Sequence, residues 1–418
     1  MNGVSFIYLI LKIFIVILGK VYYNMYMYTK SLKYRLYPTP AQQTRLRHTL
    51  SVCKDVYNSL LNERKHDYEL TGKSPSRYDQ QKHFPVWSKE FSEVGVIHSQ
   101  VLQNVAVRVD LAFNAFFTRC KKGDTPGFPR LKSGGYDSFT YPQVGFKVEK
   151  NAIYLSKIGT VKAVLHRTVE GKQITAKPRK MEQTVKTCTV RRQGDKWFVC
   201  FAIEYTAVPL PASTETVGID VGVKSFAALS SGKFIRNPKF LQTDAKALAK
   251  AQRKVEKHKK GSSDQRKARK VVRRIHERIR NRRHNFLHQK TRKLVNQYGV
   301  ICIEKLDIKQ MSKKPAPVPN TQNSGQFLPN GASQKASLNK AILDAGWGMF
   351  RSILTYKAES AGRKLIEVNP AWTSQNCSRC QTLVKKKLKD RVHFCPKCGL
   401  SLDRDTNAAI NILRIGTS

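Results

Sequence analysis

Acidic residues are scarce in this chain: 29 Asp and Glu stand against 76 Lys and Arg, a formal net charge of +47 over 418 residues. A surplus of that size exceeds what solubility needs and attracts polyanions before any specific contact forms. Nucleic acid is therefore the expected partner. Glycine and proline are also few, 24 and 17, while apolar residues make up 40%. That composition excludes a disordered basic tail and leaves about two to four compact units, each burying its own core. No segment of the chain repeats. A run long enough to span a bilayer is missing as well. Residues 4–19 (VSFIYLILKIFIVILG) are nearly all apolar, but they fall short of the roughly 20 residues a spanning helix needs, no Lys or Arg precedes them and no small-residue cleavage site follows. Met25 and Met27 stand just ahead of YTKSLKYRLYPTPAQQ, which opens like an ordinary domain. Residues 1–26 therefore read as an apolar extension and an over-extended start, in preference to a signal peptide or anchor, and no membrane partner is expected.

Cysteines number nine, an odd count that argues against a disulfide framework. Cys53, Cys120, Cys188, Cys200 and Cys302 stand alone in apolar or strand-like surroundings and read as reduced core residues. A reducing, cytoplasmic setting follows. The other four form two pairs, Cys377-x2-Cys380 and Cys395-x2-Cys398, 14 residues apart. That spacing lets two thiolate knuckles close one tetrahedral zinc site. Four protein ligands leave no position for water, so this zinc would be structural, and Lys385, Lys386, Lys387, Lys389 and Arg391 between the knuckles ease its charge.

The first half alternates early. Leu32, Tyr34 and Leu36 face opposite Lys33 and Arg35, which predicts a strand with one basic face. Thr39 then caps a helix with Pro40 in its first turn, and Leu46, Leu50, Cys53, Val56 and Leu60 recur at helical spacing. Residues 98–118 predict a second buried helix. The stretch 121–141 turns to Gly, Pro, Lys and Ser around Phe128, Tyr136, Phe139 and Tyr141. It fits either a surface where rings stack on bases and cations meet phosphates, or a connector whose rings pack inward. Short alternating runs over 144–206 read as a meander of strands, and Pro209 and Pro211 mark a boundary.

Beyond the boundary the pattern becomes strand, strand, long helices, strand, helix, strand. Lys246 to Arg283 holds 17 Lys or Arg against Glu256, Asp264 and Glu277, with one apolar seam of Val272, Ile275, Ile279 and Phe286. Helices so one-sided in charge suit a polyanion beside them more than bare solvent.

Three acids call for a separate explanation. Asp220 lies mid-strand in VGIDVGV, Glu304 ends the buried strand of GVICIEKLDI, and Asp405 opens a helix rich in small residues within LDRDTNAAINIL. Capping accounts for one of Asp403 and Asp405, but not for the set. Converging carboxylates repel and resist burial unless cations join them. Two Mg2+ ions held there would serve two-metal phosphodiester hydrolysis. Gly218 and Gly222 beside Asp220 would let a substrate backbone come close. A similar strand-and-glycine turn opens actin-like sugar kinases, which need further glycine-rich phosphate loops and neither this charge nor the cysteines.

GIDVGVKSFAALSSGKFI, ICIEKLDI, NPAWTSQNCSRC, CPKCG and DRDTNAAINIL, in that order, resemble the TnpB family of transposon-encoded proteins, which is similar to the ancestors of type V CRISPR effectors. The likeness is specific from Val217 to Leu413 and looser from Met27 to Thr206. It implies an α+β multidomain chain: a small β-barrel with a helical insertion over 27–211, reading nucleic acid and a target motif, then an RNase H-like (RuvC) α/β domain over 212–370 and 402–418, interrupted by a zinc ribbon over 371–401. It further implies an RNA-guided DNA endonuclease, a guide RNA from the transposon end and a double-stranded DNA target cut next to a short motif. Carried over by motif, the catalytic, Mg2+-holding acids are Asp220, Glu304 and Asp405, the last chosen over Asp403 because it stands two positions before Asn407 of NAA. The alternatives are a DNA transposase on the same fold and a catalytically silent guided DNA-binding protein.

Overall fold

The computed structural model describes residues 27–166, 183–320, 325–387 and 390–418. The apolar run at 4–19 and the reading of residues 1–26 lie outside them, as does Lys389. Among the described residues no helix is long and apolar enough to cross a membrane. The chain divides between Ala207 and Val208 into two compact units.

In the first unit the described residues form a seven-stranded antiparallel sheet. Its strands are β1 (Met27–Tyr37), β2 (Ser138–Tyr141), β3 (Phe146–Val148), β4 (Ala152–Leu155), β5 (Gly159–Val164), β6 (Gln183–Gln193) and β7 (Lys196–Thr206), in the order β2-β6-β7-β1-β5-β4-β3. Alternation places Leu32, Tyr34 and Leu36 in the core while Lys33 stays outside. The two edge strands, β2 and β3, are joined by residues 142–145 alone. Tyr141 Oη donates to Ser156 O at 2.8 Å and Ser156 N donates to Gly145 O at 2.7 Å, so the sheet curls until it is nearly closed. Helix α1 (Pro40–Thr71) starts at a capping box between Thr39 and Gln42 and stops at Gly72, whose φ of 68° a side chain would strain. Leu46, Leu50, Cys53, Val56 and Leu60 are all buried, along with Val101, Val105 and Val109 of α2 (Ser99–Lys121).

The reading of the five lone cysteines as core residues fails here in part. Cys120 is exposed, because the buried stripe of α2 ends at Phe113, and Cys200 is half-buried on the outer face of β7. In the 121–141 stretch the inward reading holds for Tyr136, Phe139 and Tyr141, which β2 and its lead-in carry into the core. Phe128 remains half-exposed, with its ring edge-on to Phe113 and Phe116 at 5.6 and 5.4 Å.

The second unit is built on five strands in the order β10-β9-β8-β11-β12: β8 (Thr216–Val221), β9 (Ser225–Leu229), β10 (Phe234–Arg236), β11 (Val300–Glu304) and β12 (Lys364–Val368). β8, β9 and β10 run antiparallel in chain order, whereas β11 and β12 lie parallel to β8. Between β10 and β11 come α3 (Ala245–Lys257) and α4 (Ser263–Gln297). Between β11 and β12 come α5 (Ala332–Ala345) and α6 (Trp347–Ser360), separated at Gly346, where φ is 74°. Leu287 and Leu294 of α4 and Phe350 and Leu354 of α6 cover one face of the sheet, packing with Val217, Ile219, Ile301 and Ile303. The other face takes the last helix, α7 (Arg404–Thr417), whose Ile412 packs on Cys302 and Val368. A hairpin of β13 (Val392–Phe394) and β14 (Ser401–Asp403) leads into α7.

The seam foreseen on α4 serves two cores. Val272, Ile275 and Ile279 pack on Leu248 and Ala251 of α3, while Phe286 meets Phe226 edge-on at 5.2 Å.

Candidate functional site

The carboxylates at 220 and 304 are brought together by strand register. Ile303 pairs with Ile219 in the parallel β8–β11 ladder, and both are buried under α4 and α6. Side chains alternate along a strand, so the next residues, Asp220 and Glu304, point to the opposite sheet face, where α7 lies.

Helix α7 supplies the third acid by the same kind of arithmetic. A Cβ at Gly218 would collide with the Ala409 carbonyl and meet Leu413 at 2.7–2.8 Å, so only glycine lets the helix cross β8 there. From Gly218 to Asp220 the strand advances about 6.6 Å; from Ala409 back to Asp405 the helix advances about 6 Å. Asp405 therefore reaches the level of Asp220. Gly218 thus makes room for the protein's own helix, which corrects the expectation that it admits a substrate backbone. Asp403 has a different task. Its carboxylate accepts from the amides of Asp405 (2.9 Å) and Thr406 (3.1 Å) as the N-cap of α7.

The charges are strongly coupled. Burial holds the Asp220 carboxyl well above the usual carboxylate range, and the negative charges of Glu304, Asp405 and Asp403 add to it against Arg404. Burial also raises Glu304, opposed by a hydrogen bond from the Thr373 hydroxyl at 2.7 Å. Asp405 is paired with Arg404, whose Nη2 and Nε lie 3.2 and 3.3 Å from its Oδ1.

Cys377, Cys380, Cys395 and Cys398 come together as foreseen, with sulfur atoms all within 4.8 Å of one another. Among the described residues they alone form so tight a group of three or more His, Cys, Asp or Glu ligand atoms, so the three carboxylates are spread more widely. Closest are Cys380 with Cys395 (3.5 Å) and Cys377 with Cys398 (3.6 Å). Hydrogen bonding to Thr382 holds the Cys380 thiol down at about 6, toward the thiolate that binds metal. The four-sulfur set can hold a metal such as zinc.

Sequence reasoning missed the buried acids that order the basic helices. Asp244 takes Arg278 at 2.7 Å and Arg282 at 3.4 Å, and Asp344 takes Arg283 at 2.6 Å while accepting from Leu241 N at 2.9 Å. Asp244 lies two residues before the counted stretch and Asp344 on α5, so only the tertiary fold joins them to it.

Comparison with known proteins identifies relatives of this chain. Residues 168–314 match the OrfB_IS605 family, described as "Probable transposase", and residues 347–412 match the Cas12f1-like TNB domain. Residues 25–73 match a family described as a helix-turn-helix domain, although the described part, 27–73, holds β1 and the single helix α1. A protein of Streptomyces pristinaespiralis named "Putative RNA-guided DNA endonuclease" is 32% identical over 393 residues, covering 93% of this chain and 89% of its own. Its Escherichia coli (strain K12) counterpart InsQ, of the same description, is 30% identical over 394 residues, covering 93% and 92%. Among solved structures, the cryo-EM structure of a Cas12f1–sgRNA–target DNA complex shares the fold at a TM-score of 0.54 and 14% identity, covering 92% of this chain and 98% of that one. The chain belongs to the OrfB_IS605, or TnpB, family.

Proposed function

We propose that this chain is an RNA-guided DNA endonuclease of an insertion-sequence transposon, cutting double-stranded DNA next to a short target-adjacent motif by metal-assisted phosphodiester hydrolysis. The observation that carries the reading is the meeting of Asp220, Glu304 and Asp405 from two adjacent strands and the helix across them, in a chain otherwise short of acid. The strand order β10-β9-β8-β11-β12, with three antiparallel strands followed by two parallel ones, supports an RNase H-like (RuvC) assignment for 212–370 and 402–418. Residues 371–401 form the inserted ribbon in this reading, and 27–211 the barrel-like part that reads the target motif.

The acidic centre fits divalent cations on its own chemistry: three oxygen-donor groups share a partly buried place where burial, and then the charges of Glu304 and Asp405, raise Asp220. Two Mg2+ ions held by Asp220, Glu304 and Asp405 would stabilise both the attacking water and the leaving 3′ oxygen. The four cysteines would hold one zinc and stiffen the turn before α7. Arg404 draws on Asp405 from the side and limits the repulsion among the acids. The one-sided charge of α3 and α4 supplies a surface that holds a guide–target duplex by its phosphates, leaving base pairing to read sequence.

The test is to express the chain with its native flanking DNA, sequence the RNA that copurifies, and reprogramme that RNA toward a chosen target. A discrete structured RNA with a variable 3′ end, and cleavage that requires both the matched guide and Mg2+, is the expected result. A mixture of cellular RNAs together with joined DNA products would replace this reading with a transposase.

A further inference from the structure

Thr373 is 3% exposed, and its Oγ1 donates to Glu304 Oε1 at 2.7 Å. It stands outside the strand that carries Glu304, in the turn leaving β12 for the first cysteine knuckle, four residues ahead of Cys377. Helix α7 pins that turn. Asn411 Nδ2 donates to Thr373 O at 2.9 Å and to Asn376 O at 2.7 Å, Asn407 Nδ2 donates to Asn376 O at 2.8 Å, and Ser378 N donates to Asn407 Oδ1 at 2.9 Å. Both asparagines are fully buried, at 0% and 1% exposed, so sliding the turn would strand polar groups away from water. The place of Thr373 is thereby set from two sides: by the knuckle that begins at Cys377 and by the helix that also carries Asp405.

We propose that Thr373 is a positioning residue that fixes the orientation of the Glu304 carboxylate, and that its turn is the element tying the cysteine cluster to the acidic centre. This inference rests on the reading of Glu304 as a ligand of the catalytic cation. A glutamate at the end of a strand turns about its side-chain torsions, and a hydroxyl donated from a pinned turn selects one arrangement and leaves the other oxygen for a cation.

The test compares Thr373→Val, which removes the hydroxyl and keeps the branching, with Thr373→Ser, which keeps the hydroxyl, in the full-length protein loaded with its guide RNA. Mn2+ binding, read by electron paramagnetic resonance relative to a Glu304→Gln reference, should weaken on the order of ten-fold or more in Thr373→Val. Cleavage at limiting metal should slow in parallel. Zinc content, melting temperature and guide retention should stay at wild-type values, Thr373→Ser should recover both losses, and Thr373→Val added to Glu304→Gln should cost nothing more. If Glu304→Gln itself binds Mn2+ and cuts like wild type, the reading of the centre fails. If Glu304→Gln is inactive and Thr373→Val behaves as wild type, the positioning role alone is overturned. Loss of zinc or early melting in Thr373→Val that Thr373→Ser does not correct would also overturn it, leaving Thr373 as a packing residue.

Discussion

Asp220 and Glu304 extend side by side from neighbouring parallel strands, one step beyond the paired Ile219 and Ile303. Burial of the Asp220 carboxyl next to Glu304 costs stability once it ionises. Burial and the acids around it raise the folded-state value of Asp220 above its unfolded value of about 3.9. The stability it lends is complete below the unfolded value and is lost as pH rises through the folded one. Asparagine does not ionise. In buffer without divalent cations, Asp220→Asn should therefore melt above wild type at neutral pH, and the gap should close on acidification toward about pH 4. Melting curves that coincide across this range would show that the carboxyl is not perturbed.

Gly218 is the point where β8 and α7 touch. A methyl group there meets the helix backbone, which cannot rotate away, so Gly218→Ala should cost about 3 kcal/mol or prevent docking of α7. Gly127, whose Cβ would enter open space, is the control, and its alanine variant should unfold at the wild-type urea concentration.

Arg283 and Asp344 form a nearly buried pair, 18% and 8% exposed, that also holds Leu241 N. Asp344→Ala takes the carboxylate away from the guanidinium, leaving it the backbone carbonyl of residue 344 at 2.7 Å, and should destabilise the protein by about 3 kcal/mol in chemical denaturation. The exposed Lys267–Asp264 pair, 73% and 63% exposed, should be lost without measurable effect.

Asp403 and Asp405 are expected to separate by role. Asp403→Asn keeps an N-cap acceptor and should cut DNA at close to the wild-type rate, with a small change in melting temperature. Asp405→Asn should stop cleavage while α7 stays folded. Equal loss of cleavage in both would place the third acid at neither position alone.

Much of this was legible in the sequence because period and spacing are local. The alternation around Tyr34, the Thr39 cap, the two CxxC pairs and the acid inside VGIDVGV each need only a few neighbouring residues to be read. What escaped was set by distant partners. Gly218 is small because Ala409 and Leu413 cross it nearly two hundred residues later, and Arg278 and Arg283 are anchored by acids outside their own helix. Phe139 and Tyr141 sat in a basic loop by composition, yet pairing of β2 with β6 turned them inward. Thr373 carried no signal, since a threonine ahead of a cysteine knuckle gains meaning only when Glu304 is placed beside it.

In the function proposed above, Asp220, Glu304 and Asp405 form one centre that cuts DNA chosen by a bound RNA. The most direct measurement is cleavage of guide-matched duplex by Asp220→Asn beside wild type, with the RNA retained by each preparation quantified in the same samples. Undiminished RNA with cleavage abolished is the predicted result. Cleavage that persists in the variant, or RNA that is lost together with cleavage, would contradict this assignment of Asp220.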